Sequence, residues 1–263
     1  MPTSDVGGAR IHYQDVGHGK EVVLLLHAFP LHSGMWSRLV AALSSRYRLV
    51  APDYPGLGKS EPRPEPSTME ALAEQVLGLL AAIRVDRAAV VGLSMGGYLS
   101  FELYRRQPGL FRALVLCDTK SGADTAEGAA GRETFARNAI ERGLHWVADE
   151  MTPRLLRPNP DAAVVRDVRA LIGQGTPAGV AAAQRGMAKR PDSTPTLAAI
   201  ACPALVVVGA EDGLTPPAEA EKLAAGVKGS KLARIPQAGH LPNLENPDAY
   251  NRAVSEFLAA LPP

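Results

Sequence analysis

Ser94 stands between two glycines in Gly92-Leu93-Ser94-Met95-Gly96, directly after the apolar run Ala88 to Val91 and ahead of a helix-like segment from Gly97. A serine hydroxyl is a weak nucleophile near neutral pH, so chemistry at Ser94 needs a base beside it and an acid that orients the base. Two later stretches supply those residue types. Gly209-Ala210-Glu211-Asp212 closes an apolar run with two adjacent carboxylates, and Gln237-Ala238-Gly239-His240 follows the last strand-like run with an imidazole. Serine, acid and histidine in that order, each just past a strand, predict attack on a carbonyl with the histidine carrying the proton. Taken alone the pentapeptide is equally a Gly-Ser turn without chemistry; the strand before it and the helix after it give it a catalytic reading.

The glycine spacing has a mechanical reason. Lifting a hydroxyl clear of a sheet edge takes a very tight turn, with the serine in a strained backbone conformation and its neighbours two residues away stripped of side chains. The helix that follows points its positive end at the site, which favours negative charge developing beside Ser94.

The elements that must hold these groups can be read in order. Ala9 to Val16 and Glu21 to Leu26 read as strands, the second a continuous apolar run of the kind covered on both faces. A helix follows over Trp36 to Leu43, a strand over Tyr47 to Ala51, and a Pro-rich loop to Pro66. Met69, Leu72, Val76, Leu79, Leu80 and Ile83 give helical spacing over Thr68 to Ile83. A helix through Gln107 and a strand Ala113 to Cys117 come next. Strands alternating with helices at this interval specify a parallel sheet with helices on both faces. The rhythm stops after Asp118: from Ala123 to about Pro195 there is no buried-strand run, only amphipathic segments broken by glycines and prolines, read as several short helices forming a lid. It resumes with a strand Ala204 to Val208, a helix Pro217 to Ala225, a strand Lys231 to Ile235 and a helix Pro247 to Leu261.

Composition narrows the class. The 263 residues are 46% hydrophobic with a formal net charge of +1, enough for one large core and without the basic footprint of a nucleic-acid or anionic-membrane binder. The two cysteines, Cys117 and Cys202, read as buried thiols of a reducing compartment. The N-terminal Met1-Pro2-Thr3-Ser4-Asp5 lacks a basic and an apolar region, so the expectation is a cytoplasmic protein, and no apolar run approaches bilayer length. No His/Cys/Asp pattern has metal-ligand spacing, and neither a metal nor a cofactor is expected. Gly58-Lys59-Ser60 imitates the end of a P-loop, but the loop's first glycine falls on Asp53 and the prolines after Glu61 cannot open the required helix.

Elbow, post-strand acid and terminal histidine loop together resemble the α/β-hydrolase family along essentially the whole chain. The resemblance implies a mostly parallel twisted sheet flanked by helices, with a core of residues 1–120 and 196–263 and a helical cap of 121–195 inserted after the sixth core strand. It puts the acid on Asp212 rather than Glu211, with Asp118 the alternative position used by some relatives, and it treats Asp53 as structural. It assigns the oxyanion hole to the backbone N–H groups of Met95 and Phe29, the latter in His27-Ala28-Phe29-Pro30. The family usually has His-Gly where this chain has His27-Ala28, and His27 is expected to brace that loop. His12, His18 and His145 are read as surface or packing residues. The expected activity is hydrolysis of a small carboxylic ester or lactone through an acyl-enzyme on Ser94. Cys117-Asp118-Thr119-Lys120 and the following Ser121-Gly122-Ala123-Asp124 resemble the lid entry of the 3-oxoadipate enol-lactonase and small-ester branch. Cofactor-free haloperoxidases share the same machinery, and some members of the fold serve as non-catalytic receptors. The expected pocket residues are His32, Trp146, Leu214 and Leu241. Arg132, Arg137, Arg154 and Arg157 are candidate partners for a substrate carboxylate. Nothing in the sequence specifies oligomeric state.

Overall fold

The apolar runs become the adjacent strands of one sheet. The computed structural model describes residues 2–6, 9–63 and 66–262, so part of the Pro-rich loop and Met1 lie outside the described residues. Its strands are β1 (Thr3–Val6), β2 (Ala9–Val16), β3 (Val22–Leu26), β4 (Arg48–Pro52), β5 (Ala88–Leu93), β6 (Phe111–Cys117), β7 (Ala204–Gly209) and β8 (Lys231–Ile235). They form one sheet in the order β1-β2-β4-β3-β5-β6-β7-β8. β2 pairs antiparallel with both β1 and β4, and the remaining pairs run parallel. Every residue of β5 and β7 is buried, as unalternating apolar strands covered on both faces must be.

Helices α1 (Ser37–Leu43), α2 (Met69–Ala82) and α3 (Met95–Arg106) link the first half of the sheet. The Thr68 hydroxyl caps α2 by accepting the Ala71 N–H at 3.2 Å. Between β6 and β7 lie α4 (Ala126–Leu155), α5 (Ala162–Ile172), α6 (Pro177–Ala188) and the single turn α7 (Thr194–Leu197). After β7 come α8 (Pro217–Gly226), the single turn α9 (Pro242–Glu245) and α10 (Pro247–Ala259). The long α4 is two helices meeting at Gly143, whose backbone at φ 76°, ψ −178° interrupts the helical path. A residue with a Cβ resists that conformation.

Register is what brings the chemistry together. Leu26 pairs with Gly92, Leu93 with Cys117, Cys117 with Val207 and Gly209 with Ile235, so β3, β5, β6, β7 and β8 end nearly level. The segments that leave those ends are His27–Pro30, Ser94, Asp118, Ala210–Asp212 and Pro236–His240. The order β4-β3-β5 places a topological switch between β3 and β5, where parallel α/β sheets open a crevice at their carboxyl ends.

The structure departs from the sequence reading in a few places. β1 has no apolar run to announce it, because its residues alternate between exposed and half-buried. α3 starts at Met95 rather than Gly97, since the turn at Ser94 is completed in one residue. Cys117 and Cys202 are free thiols, the first buried and the second half-buried. Among the described residues no helix is long and apolar enough to cross a membrane.

Candidate active site

Ser94 occupies the left-handed region at φ 55°, ψ −111°, which a residue with a side chain adopts only when its surroundings hold it there. The surroundings are on both sides. Its N–H donates to the Cys117 carbonyl at 2.8 Å, and its carbonyl accepts the Thr119 hydroxyl at 2.8 Å and the Gly97 N–H at 2.9 Å. Gly96 is required by packing, because a Cβ there would lie against the Leu26 carbonyl of the neighbouring strand.

Asp212 and His240 meet across the ends of β7 and β8. The Nδ1–H of His240 donates to Asp212 Oδ2 at 2.8 Å, with both side chains buried. The other carboxylate oxygen, Oδ1, accepts the N–H groups of Leu214 at 2.8 Å and Thr215 at 3.0 Å. Burial pushes the Asp212 carboxyl up, but the His240 bond and charge and the Thr215 donors outweigh it and hold it below the ordinary carboxylate value. With Nδ1 committed as donor, Nε2 of His240 is left as an acceptor; it is buried and has no hydrogen-bond partner. Ser94 and His240 line the same cavity, with no hydrogen bond joining them in this resting arrangement. Such contacts commonly close only when substrate is bound. Glu211 is exposed, while Asp212 is 3% exposed, so only the second carboxylate faces the histidine.

Two residues that sequence reasoning missed brace this pair. The Thr215 hydroxyl lies 2.8 Å from Asp212 Oδ2, 2.9 Å from His240 Nδ1 and 2.9 Å from the Asp118 carbonyl. Its position three residues after an aspartate is the one signal that marked it, since Asp commonly bonds backbone just downstream. Glu245 accepts the Gly239 N–H at 2.7 Å and the Arg157 N–H at 2.8 Å, fixing the histidine loop to the chain that follows α4.

The loop after β3 is held by histidine and aspartate. The Nδ1–H of His27 donates to the Ala28 carbonyl at 3.0 Å, and its Nε2 accepts the Tyr54 N–H at 3.1 Å. Burial lowers His27 to about 4, so it stays neutral and keeps that tautomer. Asp53 accepts the Ser33 N–H at 2.8 Å, the Lys59 N–H at 3.0 Å and a bond from His12 at 2.7 Å. His12 is therefore a buried partner of Asp53, not a surface residue. His145 is exposed and pairs with Asp149. Neither the Phe29 nor the Met95 N–H donates to another described residue.

The cavity above Ser94 holds about 410 Å³. Its walls come from Phe29, Tyr98, Leu214 and Thr215 on the sheet side, and from Arg132, Phe135, Met151, Gln184 and Met187 of α4 and α6. Of the four expected pocket residues only Leu214 lines it. His32 bonds the Gly34 N–H and Leu241 is fully buried. Trp146 packs behind Phe135, ring centroids 4.9 Å apart, and Phe135 in turn meets Phe29. The charges in this cavity are uneven. Asp124 is clamped by Arg132 and by Arg190, the latter at 2.7 Å. Burial alone would raise the Asp124 carboxyl, and the two guanidinium bonds reverse that and hold it at about 2. Lys120 lines the same cavity, half-buried, with no ion-pair partner among the described residues. Burial and the neighbouring Arg190 charge lower its ammonium.

Asp118, Asp212 and His240 bring one ligand atom each to within 4.8 Å of one another. The donor set does not fit a cation: His240 Nδ1 and Asp212 Oδ2 are bonded to each other, and Asp118 Oδ1 accepts the Gly209 N–H at 2.8 Å.

Comparison with known proteins gives a consistent family. The family model described as alpha/beta hydrolase fold matches residues 21–247. A thermophilic esterase from Thermogutta terrifontis, solved with malate bound, is 37% identical with a TM-score of 0.94, covering 98% of this chain and 97% of that one. The enol-lactonase from Burkholderia xenovorans LB400 is 29% identical with a TM-score of 0.89, covering 98% and 100%. The 3-oxoadipate enol-lactonase 2 of Acinetobacter baylyi is 26% identical over 254 residues, 94% of this chain and 92% of that protein.

Asp124 supplies a test of the cavity wall. Its lowered carboxyl contributes stability that is fully present above the unfolded-state value of 3.8 and is lost as pH falls toward about 2. Asp124→Asn should cost about 3 kcal/mol at neutral pH by leaving two guanidinium groups without their partner. Between about pH 4 and pH 2 its unfolding free energy should fall less steeply than wild type, by up to one proton's worth, about 1.4 kcal/mol per pH unit. Urea unfolding across that range measures both; parallel curves contradict the assignment.

Proposed function

The chain belongs to the α/β-hydrolase-fold family, and on that premise we propose that it is a carboxylic ester hydrolase acting on small esters or lactones through Ser94, His240 and Asp212. The observation that carries the reading is the buried, unpartnered Nε2 of His240, on the cavity shared with Ser94, with its Nδ1–H held by Asp212. An imidazole fixed in that tautomer has one thing left to do, which is to take a proton from the cavity side.

Substrate enters with its carbonyl beside Ser94. Oγ attacks the carbon while Nε2 of His240 removes the hydroxyl proton, and the charge on the carbonyl oxygen meets the free N–H groups of Phe29 and Met95. The Met95 N–H opens α3, so the helix's positive end adds to the stabilisation. The imidazolium, steadied by Asp212, then gives its proton to the leaving alcohol. Water deprotonated by the same nitrogen releases the acid from Ser94. The stretch 121–195, with α4 to α6, acts as the cap over this site and sets which acyl and alcohol groups fit.

The substrate carries an acidic group. Two guanidinium groups outnumber the Asp124 carboxylate between them, and Lys120, on the cavity shared with Ser94, forms no ion pair among the described residues. A half-buried ammonium without a partner is costly, and a substrate carboxylate would relieve it. The relatives named for 3-oxoadipate and solved with malate fit the same charge.

Two measurements test these points. A fluorophosphonate probe should label wild type and leave Ser94→Ala unlabelled, and wild type should turn over p-nitrophenyl acetate; labelling without turnover would favour a receptor of the same fold. Lys120→Met should lower kcat/KM about tenfold for a p-nitrophenyl ester ending in a carboxylate and leave the matched neutral ester within about twofold. Equal losses on both esters would remove Lys120 from substrate recognition.

A further inference from the structure

Asp118 ends β6 beside the site, and no step above uses it. It is 1% exposed, with its backbone at φ 45°, a left-handed conformation that Asp tolerates better than most residues. Its Oδ1 accepts the Gly209 N–H at 2.8 Å; its Oδ2 is buried with no donor. A carboxyl oxygen of Asp118 lies within 4.8 Å of a carboxyl oxygen of Asp212 and of a ring nitrogen of His240. The titratable groups around it are Asp212, His240, Glu245, the Cys117 thiol and the Tyr250 hydroxyl, the last two bonded to each other at 3.2 Å. Among the described residues no Lys or Arg forms an ion pair with it.

Two buried carboxyls facing each other without a cation can hold only one full charge, and a buried acceptor oxygen without a donor is resolved when it carries the proton itself. We propose that Asp118 is a positioning residue that keeps its proton in the working enzyme and donates it as a hydrogen bond to Asp212, leaving Asp212 as the one charged carboxylate bonded to His240. Burial first and the Asp212 charge second push the Asp118 carboxyl well up, in agreement.

The donor count closes on this arrangement. Asp212 takes the Leu214 and Thr215 N–H groups on Oδ1 and His240 Nδ1–H on Oδ2. The single Thr215 hydroxyl proton has Asp212 Oδ2 at 2.8 Å and the Asp118 carbonyl at 2.9 Å both in reach, and takes the second when Asp118 donates to Asp212. Turned there, it leaves the fourth acceptor position of Asp212 for the Asp118 O–H. The consequence is chemical. One carboxylate steadies the imidazolium, whereas two would hold its proton too tightly for delivery to the leaving group.

The proposal rests on reading Asp212 as the orienting acid, so its test includes a signal that needs no turnover. Among the described aspartates, Asp118 is the one whose carboxyl is pushed up. Infrared spectra of the wild-type protein near neutral pH should show the C=O stretch of a protonated carboxylic acid, shifted by selective 13C-aspartate labelling and absent from Asp118→Asn. Asp118→Ala, which deletes the donor, should lower kcat about tenfold with KM within about twofold. Asp118→Asn, whose amide both accepts from Gly209 and donates to Asp212, should recover kcat to within about threefold, with the acid limb of its kcat/KM profile unmoved. Absence of the aspartic-acid band in wild type overturns the proposal. So does an acid limb in Asp118→Asn that moves by about a unit or more, the mark of a deleted negative charge. Should Asp118→Asn fail to fold, the labelled wild-type spectrum decides alone. A protein that shows the band yet turns over no ester would overturn the hydrolase reading and leave the protonated Asp118 standing.

Discussion

The site depends on one backbone constraint: a serine held at φ 55° on the end of a buried strand. That conformation is disfavoured by something on the order of 1–3 kcal/mol, and it persists because the chain on either side cannot move. β5 is buried over its whole length and pinned between β3 and β6. The Ser94 N–H and carbonyl are tied to Cys117 and Thr119 on the neighbouring strand's exit. α3, which follows without a spacer, packs its Gly96 directly on Leu26. The strain presents the hydroxyl to the cavity and aims a helix N-terminus at the same place.

Electrostatics then divides the buried charges into two groups. Asp53, Asp124 and Asp212 each collect several donors and ionise below the ordinary range, despite a burial cost that acts against all three. Asp118 collects one donor and is pushed the other way. The first group ties loops together, as with Asp53 between His12, Ser33 and Lys59, or anchors the cavity wall to the sheet's edge through Arg132 and Arg190. Lys120 stands outside this balance, an ammonium on the cavity surface that forms no ion pair among the described residues. A chain with a net charge of only +1 thus keeps a locally cationic cavity.

Much of this was legible in the sequence because it rests on local rules. Continuous apolar runs marked the buried parallel strands, and the paired glycines marked the turn at Ser94. The exits of the later strands marked where Asp212 and His240 emerge. What escaped depends on packing between distant segments. His32, Trp146 and Leu241 are plausible pocket residues by type, yet each turns into the core or behind another ring. Thr215 and Glu245 are ordinary in composition and acquire their roles only when β7, β8 and the chain after α4 converge. The short, half-exposed β1 carries too little pattern to be read in advance.

The proposed chemistry turns on acylation of Ser94 with His240 as its base. Rapid-quench mass spectrometry with p-nitrophenyl acetate tests it most directly. In wild type an acetyl group should appear on the peptide containing Ser94 within the first turnover. In His240→Ala the same adduct should form slower by on the order of 10⁴-fold or more. Acetylation at another residue, or an adduct forming equally fast without the imidazole, would contradict it.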